Sequence, residues 1–157
     1  MNDAPYEGMF AIMDSLAPSL GEEVVMQVGN SGFTGRNTKC FPFKPDAEMQ
    51  ALFDEASLIV CHAGIGSILN GMERNVPLVL VPRDVVVPEA VNDQQAIVAA
   101  KVEALGRAVV VSNLDELGDA IERARHLEFP PYVRDDSLCV FLSGLLDEIA
   151  SKKGKRD

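Results

Sequence analysis

One cluster of residues in this chain has the chemistry to bind a phosphate. His62, Gly64, Gly66 and Ser67 follow the apolar run from Leu58 to Cys61, and after them apolar residues recur at helical spacing. Glycines let the backbone approach a ligand, and the free N–H groups of a helix's first turn point at an anion placed there. The segment therefore predicts a strand, a glycine turn and a helix that together bind a phosphate or diphosphate, with His62 and Ser67 as further donors.

The same pattern has a purely structural interpretation. A glycine turn also occurs where a helix merely packs closely on a strand, and a lone histidine is more often structural than functional. Here the histidine, both glycines and the serine lie together at the carboxyl end of a predicted buried strand, which is where open α/β sheets bind ligands. The combination favours ligand binding.

Two other polar segments follow or precede predicted elements in the same way. The turn from Gly29 to Gly32 follows a predicted strand, although a plain loop explains it equally well. The segment from Asn92 to Gln95 begins a predicted helix, and Asn92 or Asp93 would serve as its N-cap. The adjacent glutamines are less easily explained by capping, and amides both donate and accept hydrogen bonds, as sugar hydroxyls require.

Strands and helices alternate along the chain. The predicted strands are Val24 to Val28, Leu58 to Cys61, Leu78 to Val81 and Val109 to Val111, with a short extended segment around Lys39 to Phe43. A first helix is predicted to begin near Asp3 and Ala4 and to be ended by Pro18 and Gly21. A second has Asp46 as N-cap and Met49, Leu52 and Phe53 inward, and a third follows Gly64. Further helices are predicted from Asn92, carrying Ile97, Val98 and Leu105, after an Asn113 cap, and from about Asp136 to Ile149. This order predicts a single α/β domain over residues 1–157, a Rossmann-like parallel sheet with helices on both faces, ending in a basic tail at 151–157. The carboxyl ends of parallel strands meet at one edge, so the three polar segments should converge there.

Composition narrows the function. The formal net charge is −10, which argues against a nucleic-acid partner. Three widely spaced cysteines show no metal-ligand pattern and indicate buried thiols in a reducing compartment. With no signal peptide and no apolar run long enough to span a membrane, we expect a cytoplasmic protein, with contact to a membrane through a partner or the basic tail as the alternative.

The order of these motifs resembles the carboxyl-terminal domain of glycosyltransferase family 28. The resemblance rests on His-Ala-Gly-Ile-Gly-Ser at 62–67, Asn-Val-Pro at 75–77, Val-Pro-Arg at 81–83 and Asn-Asp-Gln-Gln at 92–95, with weaker likeness at Gln27 to Ser31 and Pro5 to Leu16. Within the family the chain looks most like the Alg13/PssE-like subunits, which supply the nucleotide-sugar half of a two-chain enzyme. The resemblance implies a domain of the GT-B carboxyl-terminal type.

The resemblance also implies a function and a set of binding residues. It implies the UDP-sugar-binding subunit of an inverting glycosyltransferase, which transfers N-acetylglucosamine or a similar hexose to a lipid-linked or polysaccharide acceptor. The chain would act with a membrane-associated acceptor-binding partner and without a metal or other cofactor. The implied substrate-binding residues are Gly29, Asn30, Ser31, His62, Gly64, Gly66, Ser67, Asn70, Asp93, Gln94 and Gln95, with the choice between the two glutamines left open.

Three features depart from the family pattern. Asn70 stands where a glutamate commonly binds the ribose hydroxyls, and Asn75 stands where glycine is usual. A strand that opens the family's domain has no counterpart before the first helix, so we expect a shorter sheet, one completed by a partner, or a fragment. No general base is evident. The main alternative is therefore a non-catalytic nucleotide-sugar-binding regulatory domain, followed by a sugar-nucleotide epimerase and a structural domain without a ligand.

Overall fold

The structure is a computed structural model that describes residues 6–82, 93–132 and 141–144. The strands are β1 (Val25–Gln27), β2 (Lys39–Phe41), β3 (Ile59–Cys61), β4 (Leu78–Leu80) and β5 (Ala108–Val110). The helices are α1 (Glu7–Leu20), α2 (Asp46–Glu55), α3 (Ile65–Glu73), α4 (Asp93–Ala104) and α5 (Leu117–Arg125), with a 3-10 turn over Leu114–Glu116. The alternation of strands and helices confirms the predicted α/β class.

All strand pairs in the described residues are parallel. β1 pairs with β2, and β3, β4 and β5 form a second ladder with β4 in the middle. Because parallel strands must be joined by crossovers, each connection within the second ladder carries a helix, α3 before β4 and α4 before β5. The carboxyl ends within each ladder therefore lie at one edge.

Helices cover both faces of the sheet, as predicted. Successive side chains of a strand point to opposite faces, and β4 with its flanking residue shows this alternation completely. Val79 and Val81 pack in one core with α1 and α5, whereas Leu78 and Leu80 pack in a second core with α3 and α4. A strand buried in this way needs apolar residues at every position, which explains the unbroken apolar run that predicted it.

Helix α1 continues through Pro18 and ends at Leu20, so of the two residues predicted to end it only Gly21 does. Pro18 lies inside the helix, and the left-handed Gly21, with φ of 70°, forms the C-cap. A proline has no N–H to donate to the carbonyl four residues earlier, here that of Asp14. The side-chain Nδ2 of Asn37 donates to this carbonyl at 3.0 Å instead, so the Asp14 carbonyl has a hydrogen-bond partner from outside the helix.

Other predicted boundaries need smaller corrections. Asp46 does not cap α2, because Pro45 occupies the N-cap position and Asp46 lies in the first turn. Leu105, predicted to lie on the helix that begins near Asn92, lies just beyond the end of α4 and is 56% exposed. Asn113 does cap the following 3-10 turn, since its Oδ1 accepts from the Asp115 N–H at 3.1 Å.

Some predictions concern residues outside the described part of the chain. These are the helix start at Asp3 and Ala4, the cap at Asn92, most of the helix from about Asp136 to Ile149, and the tail at 151–157. Across the described ranges, no helix combines the length and the apolar character needed to cross a membrane.

Asn75 holds together the turn between α3 and β4. Its backbone is left-handed, with φ of 55°, which asparagine tolerates better than most residues. Its Oδ1 also accepts a hydrogen bond from the Tyr132 N–H at 2.5 Å and one from Arg107 Nη1 at 3.4 Å. The Arg107 guanidinium in turn lies over the rings of Phe129 and Tyr132, at 5.0 and 5.7 Å from their centroids. Asparagine thus provides an acceptor that the glycine usual at this position lacks.

Substitutions at Asn75 should separate the backbone contribution from that of the side chain. Asn75→Gly keeps the left-handed backbone but removes the acceptor, so we expect a loss of about 1 kcal/mol in the free energy of unfolding. Asn75→Ala should lose about 1 kcal/mol more, because alanine is strained at positive φ. Denaturant unfolding measures both, and Asn75→Asp, which keeps an acceptor beside Arg107, is the control. Equal stabilities of the glycine variant and the wild type would show that the side-chain bonds contribute nothing.

Candidate functional site

The turn between β3 and α3 has the predicted strand, turn and helix. β3 ends at Cys61, Gly64 forms the N-cap with φ of −71° and ψ of 132°, and α3 begins at Ile65. Between them Ala63 adopts φ of 60°, a left-handed conformation that is strained for a residue other than glycine. Ala63 is only 2% exposed, so its methyl group packs in the core while the turn directs the first N–H groups of α3 toward the carboxyl edge.

The two glycines of this turn have different roles. A Cβ on Gly64 would lie 2.8 Å from Nε2 of His62, so the missing side chain makes room for the imidazole. A Cβ on Gly66 would meet no heavy atom within 4 Å. Packing therefore explains Gly64, whereas Gly66 leaves open space above the first turn of α3. Sequence alone could not distinguish these two glycines.

His62 is held against the start of the chain's first helix. Its ring lies 5.8 Å from that of Tyr6, centroid to centroid, with the planes tilted by 58°. His62 stays exposed to solvent on its other side. The partial loss of hydration beside neighbouring residues lowers the pKa of His62 below its usual value, because the charged form is the one that loses most. This shift favours the neutral imidazole, in which one nitrogen is a donor and the other an acceptor.

The turn after β1 supplies the second predicted segment. Gly29 has φ of 58°, and its N–H donates to the carbonyl of Pro42 at 3.1 Å. The Ser31 hydroxyl accepts from the Phe33 N–H at 3.2 Å, while Asn30 is exposed. Glycine is favoured at position 29 because the backbone there is left-handed. The sequence alone did not distinguish a ligand-binding turn from a plain loop at this position.

The three polar segments converge on one cavity. A cavity of about 740 Å³ is lined by Gly29, His62, Ser67 and Gln95 among others. Each of the three segments contributes, and of the two glutamines Gln95 is the one that lines the cavity. The other predicted residues with described side chains, Asn30, Ser31, Gly64, Gly66, Asn70 and Gln94, are not among its lining. Asp93 is the first residue of α4, and its side chain lies outside the description.

Asn70 takes part in contacts between helices α2 and α3. Its Nδ2 donates to the Gly66 carbonyl at 2.8 Å, and its Oδ1 accepts from Arg74 Nη1 at 2.9 Å. Arg74 also donates to Asp54 Oδ1 at 2.6 Å and to Gln50 Oε1 at 2.8 Å, both on α2. The sequence analysis missed this network, and only the i, i+4 spacing of Asn70 and Arg74 could have indicated it.

The described residues offer neither a metal site nor an obvious nucleophile at this edge. No group of three His, Cys, Asp or Glu residues among them is placed to hold a metal ion. Burial raises the pKa of the Cys61 thiol to about 11, so it stays protonated and unreactive. The carboxylates that line the cavity are Glu22, Glu23 and Glu55, which flank the amino ends of β1 and β3 rather than the carboxyl ends.

Solved structures with a similar fold are glycosyltransferases. The glycotransferase of kitacinnamycin superposes with a TM-score of 0.56 at 24% identity, over 94% of this chain and 35% of that one. The glycosyltransferase SnogD from Streptomyces nogalater gives a TM-score of 0.55 at 18% identity, over 78% of this chain and 32% of that one. At these identities the likeness establishes the fold, which is of the GT-B type predicted.

Sequence comparison establishes the family. The model of the glycosyltransferase family 28 C-terminal domain matches residues 11–128, so the chain belongs to this family. A curated relative, the UDP-N-acetylglucosamine transferase subunit ALG13 of Eremothecium gossypii, is 36% identical over 88 residues, which cover 54% of this chain and 41% of that protein. The chain thus spans less than half the length of the relatives described here.

The two glycines of the β3–α3 turn should respond differently to alanine. Gly64→Ala should push the His62 ring away from Tyr6 and further into solvent, which moves the pKa of His62 up toward its usual value. In Gly66→Ala the added methyl group enters open space, so the pKa of His62 should stay unchanged. The free energy of unfolding should change by less than about 1 kcal/mol. NMR titration of the histidine ring protons measures both. An unshifted pKa in Gly64→Ala would contradict the described position of the ring.

Proposed function

We propose that this chain is the donor-binding subunit of an inverting glycosyltransferase that uses a UDP-sugar, with UDP-N-acetylglucosamine the best candidate. The observation that carries the proposal is the convergence of Gly29, His62, Ser67 and Gln95 on one cavity in a family 28 carboxyl-terminal domain. The name of the ALG13 relative, a UDP-N-acetylglucosamine transferase subunit, favours this sugar and a multi-chain enzyme.

The diphosphate would bind at the first turn of α3. Gly66 leaves space there, and the unpaired N–H groups of the turn with the helix dipole provide a positive potential. The side chains of His62 and Ser67, which line the adjacent cavity, can donate further hydrogen bonds. No metal is required in this arrangement, because backbone and side-chain donors carry the charge of the phosphates.

The sugar hydroxyls would be held by Gln95, together with Asp93, and Gly29 to Ser31 would line the same cleft. Gln95 is the better choice of the two glutamines because it lines the cavity with His62. Asn70 would have to leave its bonds to Gly66 and Arg74 to reach a ribose hydroxyl. We therefore expect ribose binding by Asn70 to be weak or absent.

In the proposed reaction an acceptor hydroxyl attacks the anomeric carbon from the face opposite UDP. The new C–O bond forms as the bond to the diphosphate oxygen breaks, and UDP departs with the electron pair. The donors at the start of α3 and His62 stabilise the charge that develops on the leaving diphosphate. The acceptor proton passes to a base, which we assign to an acceptor-binding partner because no described carboxylate lines the carboxyl end of the cavity.

The proposed partner is a membrane-associated subunit that binds the lipid-linked or polysaccharide acceptor, with this chain on the cytoplasmic side. A non-catalytic nucleotide-sugar-binding domain is the second candidate. It is favoured by one observation, the engagement of Asn70 by Arg74 at the position where the family commonly has a glutamate. Reconstitution with the acceptor-binding partner distinguishes the two candidates. Sugar transfer that depends on the donor would support the transferase subunit. Donor binding without any transfer would support the non-catalytic domain.

Ligand titration tests the donor site directly. By calorimetry the purified chain should bind UDP and UDP-N-acetylglucosamine in preference to ADP. His62→Ala should weaken both uridine ligands by about tenfold, the loss of one hydrogen bond to a charged group. Gln95→Ala should weaken UDP-N-acetylglucosamine by about as much and leave UDP unchanged. Gln94→Ala, on the neighbouring residue outside the cavity, is the matched control, and equal effects of the two glutamine variants would contradict the assignment.

Donor binding should also take up a proton. Burial holds the pKa of His62 low in the free chain, and an adjacent diphosphate raises it by stabilising the imidazolium. Between the free and bound pKa values, affinity for UDP-N-acetylglucosamine should therefore rise as the pH falls. Calorimetry in buffers of different ionisation enthalpy near pH 6 measures the uptake, and this ligand has no phosphate that titrates there. His62→Gln should abolish the uptake, and uptake unchanged in this variant would place the titrating group elsewhere.

A further inference from the structure

The connection between β1 and β2 differs from the connections that follow it, each of which carries a helix. The two strands are parallel, yet residues 28–38 between them contain neither helix nor strand. A helix pairs its own backbone groups, whereas an irregular segment must find partners for its peptide groups in neighbouring elements. We call residues 28–38 the crossover loop. It begins with the turn that contains the predicted substrate-binding residues Gly29 to Ser31.

Asp14, in the middle of α1, supplies such partners at the far end of the crossover loop. Its Oδ1 accepts hydrogen bonds from the Asn37 N–H at 2.9 Å and from the Thr38 hydroxyl at 2.8 Å. Its backbone carbonyl accepts from Asn37 Nδ2 at 3.0 Å. The Asn37 N–H foremost, and then the Thr38 hydroxyl, hold the pKa of Asp14 below its usual value, because they stabilise the charged form. We call these three bonds the Asp14 latch.

The crossover loop is shaped so that the Asp14 latch can close. A Cβ on Gly35 would overlap Thr38 Oγ1 and Asp14 Oδ1, so the two groups meet only because this position has no side chain. The Gly35 N–H donates to Cys40 Sγ at 3.4 Å, which ties the same stretch to β2. The backbone of Gly35 is not left-handed, so its conformation alone does not demand glycine. The latch therefore explains the glycine.

A second contact joins the crossover loop to α1 one helical turn earlier. The Phe33 ring lies 5.7 Å from the Phe10 ring, centroid to centroid, with the planes tilted by 47°. Phe10 and Asp14 have i, i+4 spacing, so they lie on the same face of α1. The Phe33 N–H donates to the Ser31 hydroxyl at 3.2 Å, which links this contact to the predicted binding turn. The loop is thus held along one face of the helix.

The same helix also contacts the turn after β3. Tyr6 is the N-cap of α1, and its ring lies 5.8 Å from that of His62. Helix α1 therefore contacts one side of the candidate site at its start and the crossover loop along its length. Gly29 and His62, which line one cavity, depend on this helix for their relative position.

We infer that Asp14 is a positioning residue of the proposed donor site. Asp14 does not line the cavity. It holds the crossover loop on α1 and so keeps Gly29 to Ser31 in the arrangement that the donor meets. A loop released from α1 would have to be ordered by the ligand, and the affinity falls with the fraction of chains in which the loop is already ordered. The inference rests on the proposed function, since it names a residue outside the cavity that sets the affinity of that site.

Calorimetric titration with UDP-N-acetylglucosamine tests the inference. Asp14→Ala removes the acceptor of two bonds, so the affinity should fall by about fivefold, as expected for a loop that is ordered in about one chain in five. Asp14→Asn keeps an Oδ1 that can accept both bonds, so it should restore most of the affinity. Ser15→Ala, on the exposed neighbour of Asp14 in α1, is the matched control and should bind as the wild type does.

A purely structural role for Asp14 predicts a different result. Lower stability alone would leave the affinity of the folded chain unchanged. Asn75→Gly provides this comparison, because it also removes side-chain hydrogen bonds, but at the amino end of β4. It should lower the free energy of unfolding in denaturant without weakening ligand binding.

Two further variants test the Asp14 latch itself. Gly35→Ala keeps every polar group of the latch but forces Asp14 and Thr38 apart, so it should weaken the ligand to a similar extent as Asp14→Ala. The effects of Asp14→Ala and Thr38→Val on affinity should be less than additive in the double variant, because each change removes the same bond.

Amide hydrogen exchange followed by NMR shows whether the loop is released. The Ser31 N–H is bonded to the Val28 carbonyl at 3.2 Å, and the Phe33 N–H to the Ser31 hydroxyl. Both amides should exchange faster in Asp14→Ala than in the wild type, and at the wild-type rate in Ser15→Ala. Unchanged exchange at both positions would contradict the inference, since the latch would then not order the turn.

The titrations separate failure of this inference from failure of the proposed function. If the wild type does not bind UDP-N-acetylglucosamine, the proposed donor site is wrong and the role of Asp14 falls with it. If the wild type binds and Asp14→Ala binds equally well, the donor site stands and the inference is wrong. Equal weakening by Asn75→Gly and Asp14→Ala would also overturn the inference, because the affinity would then follow stability rather than the position of the loop.

Discussion

The structure depends on the burial of β4 on both faces. Leu78, Val79, Leu80 and Val81 are all fully buried, and they divide by alternation between two cores. Each core has its own helices, α1 and α5 on one face and α3 and α4 on the other. Because β4 supplies residues to both, it fixes the positions of the two helical layers relative to each other. The carboxyl edge of β3, where the candidate site lies, is held in place by its ladder with β4.

Local sequence patterns predicted the elements well because their causes are local. The apolar run before His62, the glycines after it and the helical spacing that follows are sufficient to specify a strand, a turn and a helix. Their convergence with Gly29 and Gln95 was expected from one parallel sheet, and these residues line one cavity although β1 and β3 belong to separate ladders. The passage of α1 through Pro18 was not predictable in this way, because the compensating donor is Asn37, which lies far along the chain from Asp14.

The individual roles of site residues were harder to predict for the same reason. Gly64 and Gly66 look equivalent in the sequence, and only the structure shows that Gly64 makes room for the His62 ring whereas Gly66 faces open space. Asn70 is placed on the expected helix, but the contact between α2 and α3 draws its amide toward Arg74. Such roles depend on residues that the fold brings together from distant parts of the chain, so a local sequence pattern cannot predict them.

The placement of the tyrosines has a practical consequence for spectroscopy. The chain has two tyrosines and no tryptophan, so tyrosine emission is not masked. Tyr6 contacts the His62 ring at the carboxyl edge, while Tyr132 is bonded to Asn75 at the amino end of β4. The intrinsic fluorescence therefore has one source at each edge of the sheet. In a Tyr132→Phe background the remaining emission comes from the residue beside His62, which gives the carboxyl edge of β3 a built-in optical reporter.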